Sequence, residues 1–354
     1  MMIPTEPIGS IPRPQALIDG MGAVSAGTIS PEEFGRLQEA AVRDTIERFE
    51  ATGSPVISDG EQTKSSFVTY PLEGLQNLAP DGAVIPFADG HSRQLPRLTS
   101  GPFRFGTYAD AYLETAQRYA HVPVKQAVIA ASALSLIYPQ DGVQGYEREE
   151  FLDDLVDGCE RDIRRSLDRG AHRVQMDFTE GRLSIKLDPS GQLLRDFVAL
   201  NNRVLDRFSA DERSRIGVHT CPGGDQDSTH SADVDYAELL PELFRMNVGT
   251  VYVELAGEVD RVPVLKVIAE HLRPDQRIFV GVIDPIDPHV ESPDDVRDRI
   301  LEAAELLPVS SLGTTDDCGF SPFADDTSTS RDVAFDKVGA RVEGTRLASE
   351  RLGV

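Results

Sequence analysis

The sequence predicts an α/β fold, a single (β/α)8 TIM barrel running through residues 1–354, and three observations carry that expectation. Short β-rich runs recur eight times along the chain; longer stretches with helical spacing of apolar residues separate them; and no low-complexity linker, tandem repeat or shift of composition divides the whole. Strands that alternate with helices run parallel, because each helix carries the chain back across the sheet, and eight such units can close on themselves. A length of 354 residues also admits two domains meeting near residue 205, but nothing marks a boundary there.

The eight runs lie at 8–10, 56–59, 124–129, 173–178, 215–221, 250–255, 277–284 and 311–318. The helix expected at 31–52 opens with Pro31 and two acids, Glu32 and Glu33, where a fixed φ and the helix dipole favour them. A helical run at 151–168 and another at 235–246 follow, and the helix at 292–307 has a Ser start with Pro293 just inside it. Residues 79–106 break the alternation. They are rich in Pro and Gly, with β-like pieces at Val84-Ile85 and Phe103-Arg104-Phe105, and read as a β-hairpin excursion over the barrel.

Hydrophobic residues make up 40% of the chain, enough for a core, and no apolar run approaches the ~18 residues of a membrane span. Met1-Met2-Ile3-Pro4-Thr5-Glu6 has neither the basic start nor the apolar stretch of a leader, which points to a cytoplasmic protein. Lys plus Arg is 35 against 59 for Asp plus Glu, a net charge of -24. Such a chain repels phosphate backbones and anionic lipids, and no basic cluster offsets it, so neither nucleic acid nor membrane is an expected partner. The three cysteines, Cys159, Cys221 and Cys318, are too few for a disulfide scaffold.

In a barrel the chemistry gathers where strands run out at their C-terminal ends. Those ends carry Ser10, Glu61, Asp177, His219 and Cys221, Glu254, Asp284 and Cys318. His219-Thr220-Cys221 is the sharpest element: residues two apart on a strand point to one side, so imidazole and thiol can meet one ion. Cys318 offers a third ligand and Glu254 an oxygen. Two thiols, an imidazole and a carboxylate suit zinc. Cys159 lies within a helix with no polar partner in pattern and reads as a small core residue. Asp225, Asp227, Asp284, Asp316 and Asp317 stand near the mouth; they can hold an amino group or pass a proton, but read mostly as solvated loop charges. Residues 223–227 lack the later Gly and Glu of a calcium loop. No His-Glu-x-x-His helix suggests a zinc hydrolase, and a metal-free decarboxylase would leave the His-x-Cys pair unexplained.

These residues resemble a known family, the zinc-binding catalytic barrel of cobalamin-independent methionine synthases and their thiol-alkyltransferase relatives. The likeness is carried by Ile8-Gly9-Ser10-Ile11-Pro12-Arg13-Pro14, Gly60-Glu61, Val174-Gln175-Met176-Asp177, His219-Thr220-Cys221, Val251-Tyr252-Val253-Glu254, Gly281-Val282-Ile283-Asp284 and Asp317-Cys318-Gly319, in family order. It implies zinc on His219, Cys221, Glu254 and Cys318, with thiol-substrate contacts from the Ile8-Gly9-Ser10 segment, Glu61 and Asp177. The chain is similar to the short, single-barrel members. It departs from the pattern at Asp177-Phe178-Thr179-Glu180, where the family has Asp-Glu-Pro. It has no Trp, with Tyr138 near the pterin-stacking position, and Ile286 stands where a folate-protonating His would be, leaving His289 as the nearby acid. The resemblance implies methyl transfer from a donor to a small thiol, homocysteine foremost. A second reading is epoxide opening by a thiol, as in epoxyalkane:coenzyme M transferases. A structural zinc site without catalysis is the reading of another class, although structural sites favour locally paired cysteines. Oligomeric state and donor stay open at this level.

Overall fold

A computed structural model describes residues 2–354. Its centre is a parallel sheet of β1 (Gln126–Ile129), β2 (Val174–Asp177), β3 (Ile216–Thr220), β4 (Thr250–Val253), β5 (Arg277–Ile283) and β6 (Leu312–Asp316), neighbours in space in that order. A parallel bridge from Ile57 to Val124 extends the β1 edge, and one from Thr5 to Thr314 extends the β6 edge. The two flanking segments then bond to each other: the Ile11 amide donates to the Gly60 carbonyl at 3.0 Å and the Ser58 hydroxyl to the Gly9 carbonyl at 2.6 Å. Eight segments thus follow one another round a barrel.

The first two segments are not the regular strands expected at 8–10 and 56–59. Pro4, Pro7, Pro12 and Pro55 have no amide to give a ladder, and Gly9 (φ 148°) and Gly60 (φ 67°) turn the chain out of the extended region. Those turns direct the polar side chains after them toward the barrel mouth.

The six strands are buried almost throughout, as parallel strands covered on both faces must be. Alternate side chains divide cleanly. Val174, Met176, Ile216, Val218, Val251, Val253, Ile278 and Val280 belong to the large core shared with the helices, while Tyr252 and Phe279 form a separate small cluster with Ile8. The second set faces the barrel interior. Gly217 and Gly313 make room there, since a Cβ on either would lie 2.6 or 2.7 Å from the Tyr252 or Phe279 ring. Two interior polar pairs are matched: the buried Lys125 donates to Gln175 at 2.7 Å, and Tyr252 to Glu6 at 2.5 Å. Where β6 ends, Asp316 meets the guanidinium of Arg341 at 3.0 Å, both fully buried, and accepts the Ile8 amide at 3.0 Å.

The outer layer includes Pro31–Ala51, Arg148–Asp168, Tyr236–Leu243 and Pro293–Leu306, each within a few residues of expectation. Ser30 and Ser292 start two of them with reciprocal capping boxes. Among the described residues no helix is long and apolar enough to cross a membrane.

The excursion is two nested antiparallel pairs, Leu78–Ala79 with Arg97–Leu98 and Val84–Pro86 with Ser92–Gln94. Its second arm is therefore at 92–94, not 103–105. Phe103 is apolar for another reason: it is fully buried, its ring 5.3 Å from Phe151. The hairpin tip docks on residues 224–229, where Ala88 donates to the Thr229 carbonyl at 2.9 Å and Arg93 grips both oxygens of Asp225.

Candidate metal centre

His219 faces the barrel interior near the end of β3, and Cys221 follows two residues later on the same side. Cys318 lies just past β6, three strands further round. Across the mouth, the two sulfurs approach to 3.0 Å, and donor atoms of His219, Cys221 and Cys318 all lie within 4.8 Å of one another, every residue buried.

His219 is held from both sides. Its Nδ1 meets Asp177 Oδ1 at 3.2 Å, while Nε2 is 3.2 Å from the Asp317 carbonyl. Burial opposes a charged ring, but the bond to Asp177 and its charge outweigh this and raise the His219 pKa. A carbonyl only accepts, so the Asp317 contact is made by a protonated Nε2; with Nδ1 donating to Asp177, loss of the Nε2 proton leaves there the lone pair that a metal-binding imidazole needs. The two cysteines split. The Cys318 thiol is lowered to about 7, chiefly because Cys221 donates to it, with His219 and the amides of Gly224 and Gly319 adding to the effect. Cys221 moves up, through that same bond and burial. One sulfur is thus ready to be a thiolate at neutral pH.

Glu254 follows β4, whose Val253 pairs with Thr220, so it stands beside Cys221 in register. It is not among the three clustered donors. The buried Arg182 holds its Oε1 at 3.2 Å, and Oε2, equally buried, has no hydrogen-bond partner. Burial pushes its pKa well up despite Arg182. Two sulfurs, one imidazole nitrogen and one orphaned carboxylate oxygen at a single mouth form a donor set that fits zinc.

Ile8, Ser10, Glu61, Asp177, His219 and Cys318 line one recess beside these donors. A Cβ on Gly319 would come within 2.1 Å of the Ser10 hydroxyl, so glycine there lets Ser10 sit next to Cys318. Glu61 takes a positive φ of 54° and accepts Lys64 at 2.9 Å on one oxygen; the other has no partner. Two expected residues are not brought in. Tyr138 is buried against Phe151, its hydroxyl bonded to the Tyr146 carbonyl at 2.8 Å. His289 is exposed, its carbonyl taken by Lys337. Ile286 is the residue that packs toward Gly224 near Cys318.

The acids at the mouth are not mostly solvated. Asp317 is buried and accepts the amides of Leu255, Ala256 and Gly257 at 2.6–2.9 Å, with burial and Asp284 raising it to about 8. Asp225 and Asp316 are also buried, and Asp284 largely so; Asp227 is exposed. Composition suggested a charged surface, but these carboxylates serve as clamps for loop amides and arginines. Sequence reasoning also passed over Lys64, Gln175, Glu180 and Arg182. For Lys64, Gln175 and Glu180 the available signal was a charged or amide group two or three residues from a strand-end acid; Arg182, which reaches Glu254 from 72 residues away, carried no local signal.

Residues 3–334 match the family described as the cobalamin-independent synthase catalytic domain. The chain is 21% identical over 352 residues to a methionine synthase of Saccharolobus islandicus, covering 99% of this chain and 96% of that protein. It is likewise 21% identical to one of Sulfurisphaera tokodaii, covering 99% and 94%. Among solved structures it resembles a B12-independent methionine synthase from a Shewanella species in complex with selenomethionine (TM-score 0.78, 18% identity, 99% of each chain). A putative vitamin-B12 independent methionine synthase from Listeria monocytogenes is also similar (TM-score 0.72, 22% identity, 98% of each). With the barrel and the clustered strand-end donors already described, the match over nearly the whole length means that this chain belongs to the cobalamin-independent synthase catalytic-domain family, enzymes that transfer methyl groups.

Proposed function

We propose that the protein methylates the sulfur of homocysteine, using zinc held by His219, Cys221, Cys318 and Glu254. The observation that carries this reading is the recess itself, which sets the clustered His219, Cys221 and Cys318 beside two carboxylates, Glu61 and Asp177. Zinc bound there supplies a Lewis acid that keeps a coordinated thiol ionised at neutral pH, where a free thiol of pKa about 8.5 is only a few per cent thiolate.

The remaining work belongs to the chain. Glu61 and Asp177 offer carboxylate oxygens to an ammonium group, and Lys64 fixes the rotamer of the first while Gln175 fixes that of the second at 2.7 Å. Asp177 also aligns His219, so substrate grip and metal geometry share one residue. His219, Cys221 and Cys318 are all buried, which keeps a sulfur bound among them away from bulk water. A sulfonate thiol would meet the same two carboxylates as like charges, which weighs against the coenzyme M reading. An open recess beside the donors weighs against a purely structural ion.

X-ray absorption at the zinc edge tests the proposal. Two sulfur neighbours per zinc without substrate and three with homocysteine are expected, the third replacing the oxygen of Glu254. An unchanged count with homocysteine bound would overturn it. Asp177→Asn is expected to weaken homocysteine binding by about one to two decades, the ~1.5–3 kcal/mol of a hydrogen bond to a charged group. Calorimetric titration together with metal analysis reads this, and undiminished affinity would remove Asp177 from the ammonium site.

A further inference from the structure

A cavity of about 650 Å³ adjoins the recess and shares Phe67, Thr179, Gly223 and Gly224 with it. We infer that this cavity binds the alkyl donor, that the donor is an uncharged, largely apolar molecule, and that Glu180 is the catalytic residue that protonates its leaving atom. The inference rests on the alkyl-transfer reading of the neighbouring recess; its own support is the chemistry of the cavity wall.

That wall is mainly apolar, with Ile85, Phe87, Leu136 and Leu183 among its residues. Its titratable groups are Arg93, Asp325, His230 and Glu180. Arg93 is fully engaged: it binds both oxygens of Asp225, reaches Asp325 at 2.9 Å and lies over the Phe323 ring. No cation in the wall is left for a carboxylate or phosphate tail. Burial, with Lys186 and Arg182 nearby, lowers His230 to about 4, so at neutral pH it has no extra proton to give.

Glu180 differs from all three. It is buried at the start of the helix Glu180–Leu187, three residues beyond Asp177. Its Oε1 accepts the Ser132 hydroxyl, and Ser132 is itself fixed by the fully buried Asn201, whose amide donates to it at 2.8 Å. Its Oε2 has no partner. Burial, with a small contribution from Asp177, raises the carboxyl to about 7 against the opposing bond from Ser132. A carboxyl so raised, with one oxygen clamped and the other unpartnered, can hold a proton near neutral pH, as general-acid work requires.

In the step, the thiolate sulfur attacks the alkyl carbon. The sulfur–carbon bond forms as the bond from carbon to the leaving atom breaks, and the electron pair goes to that atom, which takes the Glu180 proton. The carboxylate regains a proton from solvent, where the incoming thiol has released its own.

Acridine, a neutral, largely apolar heteroaromatic, probes the wall without zinc or thiol. At pH 7.5 the full-length protein is expected to bind it saturably, read by its fluorescence, and methylfolate triglutamate is expected not to displace it. Infrared difference spectra between pH 6 and pH 8 read Glu180 itself: a protonated-carboxyl C=O stretch that titrates in this window in the wild type is expected to be missing from Glu180→Gln, which keeps the shape and should still bind acridine. Absent saturable binding, or displacement by the triglutamate, would overturn the donor class. A titrating stretch retained unchanged in Glu180→Gln would overturn the role of Glu180. Alkylation of homocysteine by iodomethane on the zinc-loaded protein needs no acid, because iodide leaves with its electron pair. It therefore tests thiol activation separately: no alkylation by the wild type would overturn the alkyl-transfer reading, whereas acridine binding and the carboxyl stretch judge the cavity and Glu180.

Discussion

Replacing Cys318 by Ser is expected to strip the purified protein of most of its zinc, while Cys159→Ser retains the full complement. Cys318 is the sulfur whose pKa is drawn down to about 7 by Cys221, His219 and two amides. A serine hydroxyl in its place stays protonated and is a hard donor where a soft one is wanted. Loss of a supporting hydrogen bond around a metal ligand already costs ~10–100-fold in affinity, and removal of the ligand should exceed that. Cys159 has a raised pKa from burial and sits in the outer helix Arg148–Asp168, so its change leaves the mouth untouched. Metal analysis of both variants after gel filtration decides the matter, and full retention of zinc in Cys318→Ser would dismantle the proposed centre.

Arg341→Met is expected to destabilise the fold by about 3–5 kcal/mol, the cost of leaving one member of a buried ion pair uncompensated. Arg341 and Asp316 are both fully buried, and Asp316 also receives the Ile8 amide, which anchors the segment leading into the recess. Without the guanidinium, Asp316 must take up a proton or open the first segment to water. Reversible urea unfolding measures the loss. A change under about 1 kcal/mol, the range of an exposed pair, would mean that the pair is solvated.

Much of this architecture was legible in the residues because it rests on periodicity. Six of eight expected strands are regular, and His219 and Cys221 share a face since a strand repeats every two residues. The first two segments misled because β-branched content outweighed prolines that remove ladder donors. Cys318 was found by its place at a strand end, yet its nearness to Cys221 across the mouth depends on barrel curvature, which no local pattern encodes. Glu254 is at the expected strand end, but its grip by Arg182 from the helix after β2 joins positions 72 residues apart. Tyr138 and His289 were singled out by resemblance alone; the Tyr138 hydroxyl is bonded to the Tyr146 carbonyl, and His289 lies exposed on a segment whose carbonyl Lys337 holds.

The nested hairpin at 78–98 supplies Ile85, Phe87 and 92–95 to the larger cavity and nothing to the clustered donors. It enters and leaves through adjacent paired residues, Leu78 with Leu98, so the barrel sees it as a single attachment point. The holds of its tip, Arg93 on Asp225 and Asp325 and the Ala88 amide on Thr229, reach segments beyond Cys221 and Cys318 rather than the six barrel strands. The molecule is consequently modular: a change in the length or side chains of this one insert would reshape the larger cavity while leaving the clustered donors as they are, which makes the segment a natural cassette for testing what that cavity admits.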